Sequence, residues 1–122
     1  MAALPQQSVG LIDQIDSYIS FLETKKASTY TVRNYSHHLH TFAALLSKKS
    51  VLSLDEVQHK HIISFKSYLK KQHFSPQTQF SYLSAIRSFL KWTAQSNIKS
   101  LDHSLVILPN ILTKAQSFIR GS

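Results

Sequence analysis

The sequence predicts an all-α fold, a compact bundle of four to five helices, and three observations carry that prediction. Turn punctuation is nearly missing from the middle of the chain: Gly10 and Gly121 are the only glycines, and Pro5, Pro76 and Pro109 the only prolines. Apolar residues recur at helical spacing in four successive stretches. Two of those stretches open at a serine suited to cap a helix, Ser28 and Ser75. With 122 residues, 43% of them hydrophobic and 11% aromatic, the chain has room for one ordinary domain with a real core.

The elements follow in order. Leu11, Ile12, Ile15, Tyr18, Ile19 and Leu22 mark a first helix over about residues 10–25. Val32, Tyr35, Leu39, Phe42 and Leu46 mark a second, capped by Ser28 and ending near Ser47. Ser53 to Glu56 reads as a short lead-in turn to a third helix, His59 to Gln72, with Ile62, Ile63, Phe65 and Leu69 inward and Lys60, Lys66, Lys70 and Lys71 outward. The fourth has the clearest start. Ser75 caps it, and Pro76 sits at the first helical position, where its missing N–H costs nothing. Tyr82, Leu83, Ile86, Phe89, Leu90 and Thr93 form its inner face, and it should stop near Asn97. The apolar run Leu105 to Pro109 fits a strand, a docked tail or an extended linker, and is read as linker.

Helices two and four share the pattern S-x2-T-x3-Y-x3-[LI]-x2-F at an offset of 47 residues: Ser28 matches Ser75, Thr31 Thr78, Tyr35 Tyr82, Leu39 Ile86, and Phe42 Phe89. Any two capped amphipathic helices share part of such a pattern; both nonetheless begin sharply, with their positive dipole ends at defined places.

Charge narrows the function. Lys and Arg number 14 against 6 Asp and Glu, for a net charge of +8. Asp13, Asp16 and Glu23 fall near the start, whereas Val57 to Leu101 holds no acid and seven bases: Lys60, Lys66, Lys70, Lys71, Arg87, Lys91 and Lys99. A field of one sign suits a polyanion, nucleic acid above all, although an anionic membrane or an acidic protein satisfies the same arithmetic. The chain has no cysteine, which excludes disulfides, thiolate zinc sites and Cys nucleophiles and suits a reducing compartment. No apolar run reaches the roughly 18 residues of a membrane span, and no signal peptide opens the chain. The expectation is a cytoplasmic protein with no membrane partner and no cofactor.

The stretch Ser28-Thr29-Tyr30-Thr31-Val32-Arg33-Asn34-Tyr35, followed by Leu39 and Phe42, resembles the second helix of the SAM-like N-terminal core-binding domain of tyrosine recombinases, the phage integrases. Ser75-Pro76-Gln77-Thr78, continuing through Leu83 to Trp92, is similar to that family's fourth helix. The resemblance covers about residues 10–98. It implies half of a C-shaped clamp on double-stranded DNA, with helices two and four turned to the major groove and its phosphates. Strand exchange would be carried out by a separate C-terminal catalytic domain, among other recombinase protomers on the DNA. The expected layout is a flexible N-terminus over 1–9, the core-binding domain over 10–98, and a linker toward a catalytic domain over 99–122, with Leu108 to Lys114 resembling the linker's entry. That catalysis needs arginines, histidines, a lysine and a tyrosine nucleophile in a domain of its own, and nine residues follow Thr113. No catalytic residue is therefore assigned, and this chain is expected not to be an enzyme.

Candidate DNA-binding residues are those opposite the two core stripes. On helix two they are Arg33, His37 and His40, with Asn34 beside them. Arg forks onto guanine or phosphate, Asn pairs with adenine, and His donates to phosphate. On helix four they are Gln77, Ser81, Ser84 and Lys91, whose serines permit close approach to a backbone, and Arg87 at the stripe's edge. A solvated face explains any one of them equally well. His37 and His40 lack the further ligand a metal site needs, so no metal is assigned. Two other functions fit the same charge: a helical transcription regulator, disfavoured by long helices and a connection without Gly from Lys71 to Ser75, and a basic protein-interaction module.

Overall fold

The computed structural model describes residues 10–109. Within them lie α1 (Leu11–Thr24), α2 (Thr29–Ser47), α3 (His59–Lys71) and α4 (Pro76–Gln95), with single 3-10 turns at Leu54–Glu56 and His103–Leu105. The expected flexible segment 1–9 and the linker beyond Pro109 lie outside the described residues. The all-α prediction holds, with four helices and no strand among the described residues beyond one isolated bridge, Gly10 to Ser53.

The two serine-led starts are built alike. The Ser28 hydroxyl accepts the Thr31 N–H at 3.1 Å and donates to the Thr31 hydroxyl; Ser75 treats Thr78 the same way, accepting its N–H at 3.2 Å. Each cap satisfies an N–H that would otherwise be orphaned, an effect of about 1 kcal/mol.

The helix stops have a common plan too. Lys26, Ser50, His73 and Asn97 each take a positive φ of 62–65° just past a helix. The residue after each one, Ala27, Val51, Phe74 and Ile98, sends its N–H back to Leu22, Leu46, Leu69 and Thr93. These are Schellman stops, with a left-handed residue and an apolar residue folded back on the last turn. None uses the glycine that usually fills the left-handed position.

These features extend the 47-residue offset to whole hairpins. Ile15 and Ile62, Tyr18 and Phe65, and Leu22 and Leu69 are equivalent, as are the four stops taken pairwise. The α1–α2 hairpin and the α3–α4 hairpin are therefore two versions of one unit. They pack reciprocally: Phe42 of the first meets Phe65 of the second at 5.2 Å between ring centroids, and Phe89 of the second meets Tyr18 of the first at 5.8 Å. A contact repeated with the partners exchanged is the mark of an approximate two-fold axis. Leu39, Leu46, Leu69, Leu83 and Ile86 fill the core around the three buried phenylalanines Phe42, Phe65 and Phe89.

Three expectations change. Ile63, expected inward, is 53% exposed, because Ile62, Phe65 and Leu69 define the α3 stripe and Ile63 falls about 100° off it. Ile12 is likewise exposed at the start of α1. The chain beyond α4 does not leave the bundle at once. Val106 is buried, Leu101 and Leu108 pack against the core, and the Lys66 ammonium donates to the Ile107 carbonyl at 3.2 Å. The docked-tail alternative thus describes the segment as far as Leu108.

Candidate nucleic-acid interface

Most of the candidate side chains gather where α4 packs on α2 and along α4 beyond it. The N-terminal half of α2 and the middle of α4 enclose a depression of about 210 Å³, lined by Tyr30, Asn34, His38, Phe80, Ser81 and Ser84 among others. A second depression of about 220 Å³ continues along α4 to the docked tail, lined by Ser84, Arg87, Ser88, Lys91, His103 and Leu108. Ser84 borders both, so the two form one groove. No carboxylate lines either part. The acid nearest in sequence to the tail end, Asp102, is occupied as a cap: it accepts from the Ser104 N–H and hydroxyl, both at 2.9 Å, and those bonds hold its carboxyl below the usual range.

Of the nine residues singled out in the sequence, this groove brings together Asn34, Ser81, Ser84, Arg87 and Lys91. Arg33 and Gln77 are exposed but line neither part. His37 is exposed and shares a hydrogen bond of 3.2 Å with the Tyr82 hydroxyl, which ties α2 to α4.

His40 stands apart from the other eight. It lies about 120° around α2 from Asn34 and faces α1 instead. Its Nε2 is 3.1 Å from the Asp16 carboxylate and its Nδ1 2.7 Å from the Ser36 carbonyl, so both ring nitrogens have partners within the chain, at the exposed edge of the α1–α2 hairpin.

Four groove residues escaped the sequence reading: Tyr30, His38, Phe80 and His103. His38 follows Tyr35 by three residues, which puts it at the margin of the core stripe, and that spacing was the available signal. Its ring lies 4.1 Å from that of Tyr82, and its Nδ1 is buried with no hydrogen-bond partner. Burial, helped by the neighbouring His37, lowers its pKa to about 4, so it is neutral at physiological pH. Tyr30, inside the motif that carried the resemblance, is 76% exposed, a large aromatic ring left in water. Trp92 instead closes the seam between α1 and α4, against Tyr18 at 5.4 Å and Phe21 at 5.8 Å. Burial, with Tyr35 nearby, pushes the Tyr18 hydroxyl up to about 12, as expected of a packing residue.

Chemically, the groove offers two cations, an amide, small hydroxyls and aromatic surface. Such a set suits binding, and among the described residues no hydrogen bond within the groove joins a nucleophile to a base. Among the described residues no group of three or more His, Asp or Glu could hold a metal ion, and no helix is long and apolar enough to cross a membrane.

Four helices around one core and an acid-free groove define a basic all-α domain, and comparison with known proteins gives it a family. Residues 15–97 match the phage integrase N-terminal SAM-like domain, and the chain belongs to that family. It is 34% identical over 110 residues to tyrosine recombinase XerC of Natranaerobius thermophilus, covering 88% of this chain and 37% of that protein. It is 26% identical over 97 residues to tyrosine recombinase XerD of Listeria innocua, covering 78% and 33%. The chain thus spans about a third of the length of these relatives. In fold it is similar to the crystal structure of the N-terminal domain of a phage integrase/site-specific recombinase from Haloarcula marismortui, with a TM-score of 0.76 at 14% identity, over 84% of this chain and 98% of that one.

Proposed function

We propose that this chain is the DNA-binding module of a site-specific tyrosine recombinase, holding duplex DNA while a C-terminal catalytic domain cuts and rejoins the strands in the cytoplasm. The observation that carries this reading is the acid-free groove, with Asn34 of α2 in one part and Arg87 and Lys91 of α4 in the other, the two parts meeting at Ser84. Arg87 and Lys91 suit phosphates, Asn34 suits a base edge, and Ser81 and Ser84 allow close approach of the backbone. Arg33 and Gln77, exposed on the first turns of the same two helices, extend the surface. The module itself performs no chemistry in this reading. Its partners are the DNA, the catalytic domain and neighbouring recombinase protomers on the same DNA.

The test is the salt dependence of binding to duplex DNA by fluorescence anisotropy. Affinity should fall steeply with salt, and the log-log slope should flatten by about 0.9 for each phosphate contact removed in Arg87→Ala and in Lys91→Ala. A flat response in the unaltered chain would overturn the reading.

A further inference from the structure

The α2/α4 depression has a composition that phosphate binding does not require. Its walls are aromatic: Tyr30 stands 76% exposed at the mouth, and Phe80 and His38 lie alongside. Its polar groups are neutral and mixed in character. The Asn34 amide both donates and accepts, as does the Ser84 hydroxyl, while the Ser81 hydroxyl gives its proton to the Gln77 carbonyl at 3.2 Å and keeps its lone pairs as acceptors, and the His38 ring beside them is uncharged. Arg87 and Lys91 follow directly along the groove. A ligand matching this sequence of surfaces has flat apolar faces, an edge bearing both donors and acceptors, and a negative charge a few ångströms away. That is the chemistry of a nucleotide whose base is out of the stack. A base within a duplex has both faces covered by its neighbours and cannot offer them to Tyr30 or Phe80, whereas aromatic side chains do stack on unpaired bases.

We propose that the depression lined by Tyr30, Asn34, His38 and Phe80 seats one unpaired nucleobase, with the adjoining phosphates running toward Arg87 and Lys91. This rests on the DNA-binding reading and deepens it: the module would prefer duplex in which one base is already loosened. Taking a base out of a mismatch costs less than taking it out of a matched pair, so a mismatch reveals the site.

The experiment compares two labelled duplexes of the same length and charge, one fully paired and one carrying a single central T·T mismatch. Binding is measured by anisotropy at fixed salt. The chain should bind the mismatched duplex about tenfold more tightly, the scale of one base stacked on an aromatic ring. Tyr30→Ala should bring the ratio of the two affinities to about one, and Tyr30→Phe, which keeps the ring, should retain the preference. Tyr30 is so exposed that neither change threatens the fold. Equal affinities in the unaltered chain, or a preference that survives Tyr30→Ala, would overturn the pocket while leaving DNA binding intact. Failure to bind either duplex would overturn both.

Discussion

The two hairpins share a backbone plan but differ in charge, and their first helices, α1 and α3, are opposite in sign. At equivalent positions 47 residues apart, Asp13, Asp16 and Glu23 of α1 become Lys60, Ile63 and Lys70 of α3. The outer helices follow suit. His40 of α2 is held by Asp16, while its equivalent on α4, Arg87, has Ile63 where the acid would be, and no carboxylate lies within ion-pair distance of it among the described residues. In the first hairpin the imidazole is engaged by a carboxylate of the same hairpin; in the second its counterpart, a guanidinium, is left facing the groove. The difference teaches that packing and surface charge are separable here. The core equivalences hold the bundle together, and the departures from equivalence, at the Asp16/Ile63 and His40/Arg87 pairs, make one hairpin cationic outward.

The sharpest way to break the equivalence is in the core. Phe42 and Phe89 are fully buried, and each meets the aromatic ring of the other hairpin. Phe42→Ala and Phe89→Ala should each cost about 3–5 kcal/mol, read as a drop in the urea midpoint. Similar costs are expected if the two-fold arrangement carries the stability evenly. A loss at one position several times that at the other would show that a single hairpin dominates.

A smaller effect sits where equivalence fails inside the fold. His38 corresponds to the buried Ala85, so one hairpin carries an ionisable group where the other carries a methyl. The folded chain lowers the His38 pKa to about 4 from an ordinary 6.5. The unfolded chain therefore binds the proton first as pH falls, and stability is full above about 6.5 and declines toward 4. Solvent near this half-buried ring reduces the effect to about 1–2 kcal/mol. In His38→Ala the difference in unfolding free energy between pH 7 and pH 4 should shrink by that amount, whatever the substitution does to stability at pH 7. An unchanged difference would place the acid sensitivity elsewhere, for instance at His61, whose pKa burial also lowers.

Much of this was legible in the sequence, and the part that was not has physical reasons. Helix starts were readable because Ser28, Ser75 and Pro76 act locally, through one side chain on the next turn. The α2/α4 repeat was readable for the same reason. The repeat of α1 in α3 was hidden because it survives only at buried positions such as Ile15 and Ile62, while the exposed ones reverse charge. His40 could not be placed without knowing that α1 brings Asp16 to it, a contact across 24 residues. Tyr30 lies opposite the α2 core stripe, on the face that carries Arg33 and His37, but its weight there is visible only once Phe80 of α4 is brought alongside, from 50 residues away in sequence.

The smallest effect concerns the helix stops, which glycine-based punctuation does not mark. Lys26 and His73 are equivalent residues held at φ values of 64° and 62°, where an L side chain is strained by roughly 1–2 kcal/mol. Glycine removes that strain but loses more freedom on folding, about 0.5–1 kcal/mol, so Lys26→Gly and His73→Gly should each stabilise by about 0.5 kcal/mol. Asn97, at 62°, already tolerates the left-handed region, and Asn97→Gly should change little. Because both groups that follow, Ala27 and Phe74, keep their backbone bonds to Leu22 and Leu69, the gain should appear in the thermal midpoint without any change in DNA affinity. Gains at only one of the two equivalent stops would mean that the hairpins, though alike in trace, do not share the cost of turning.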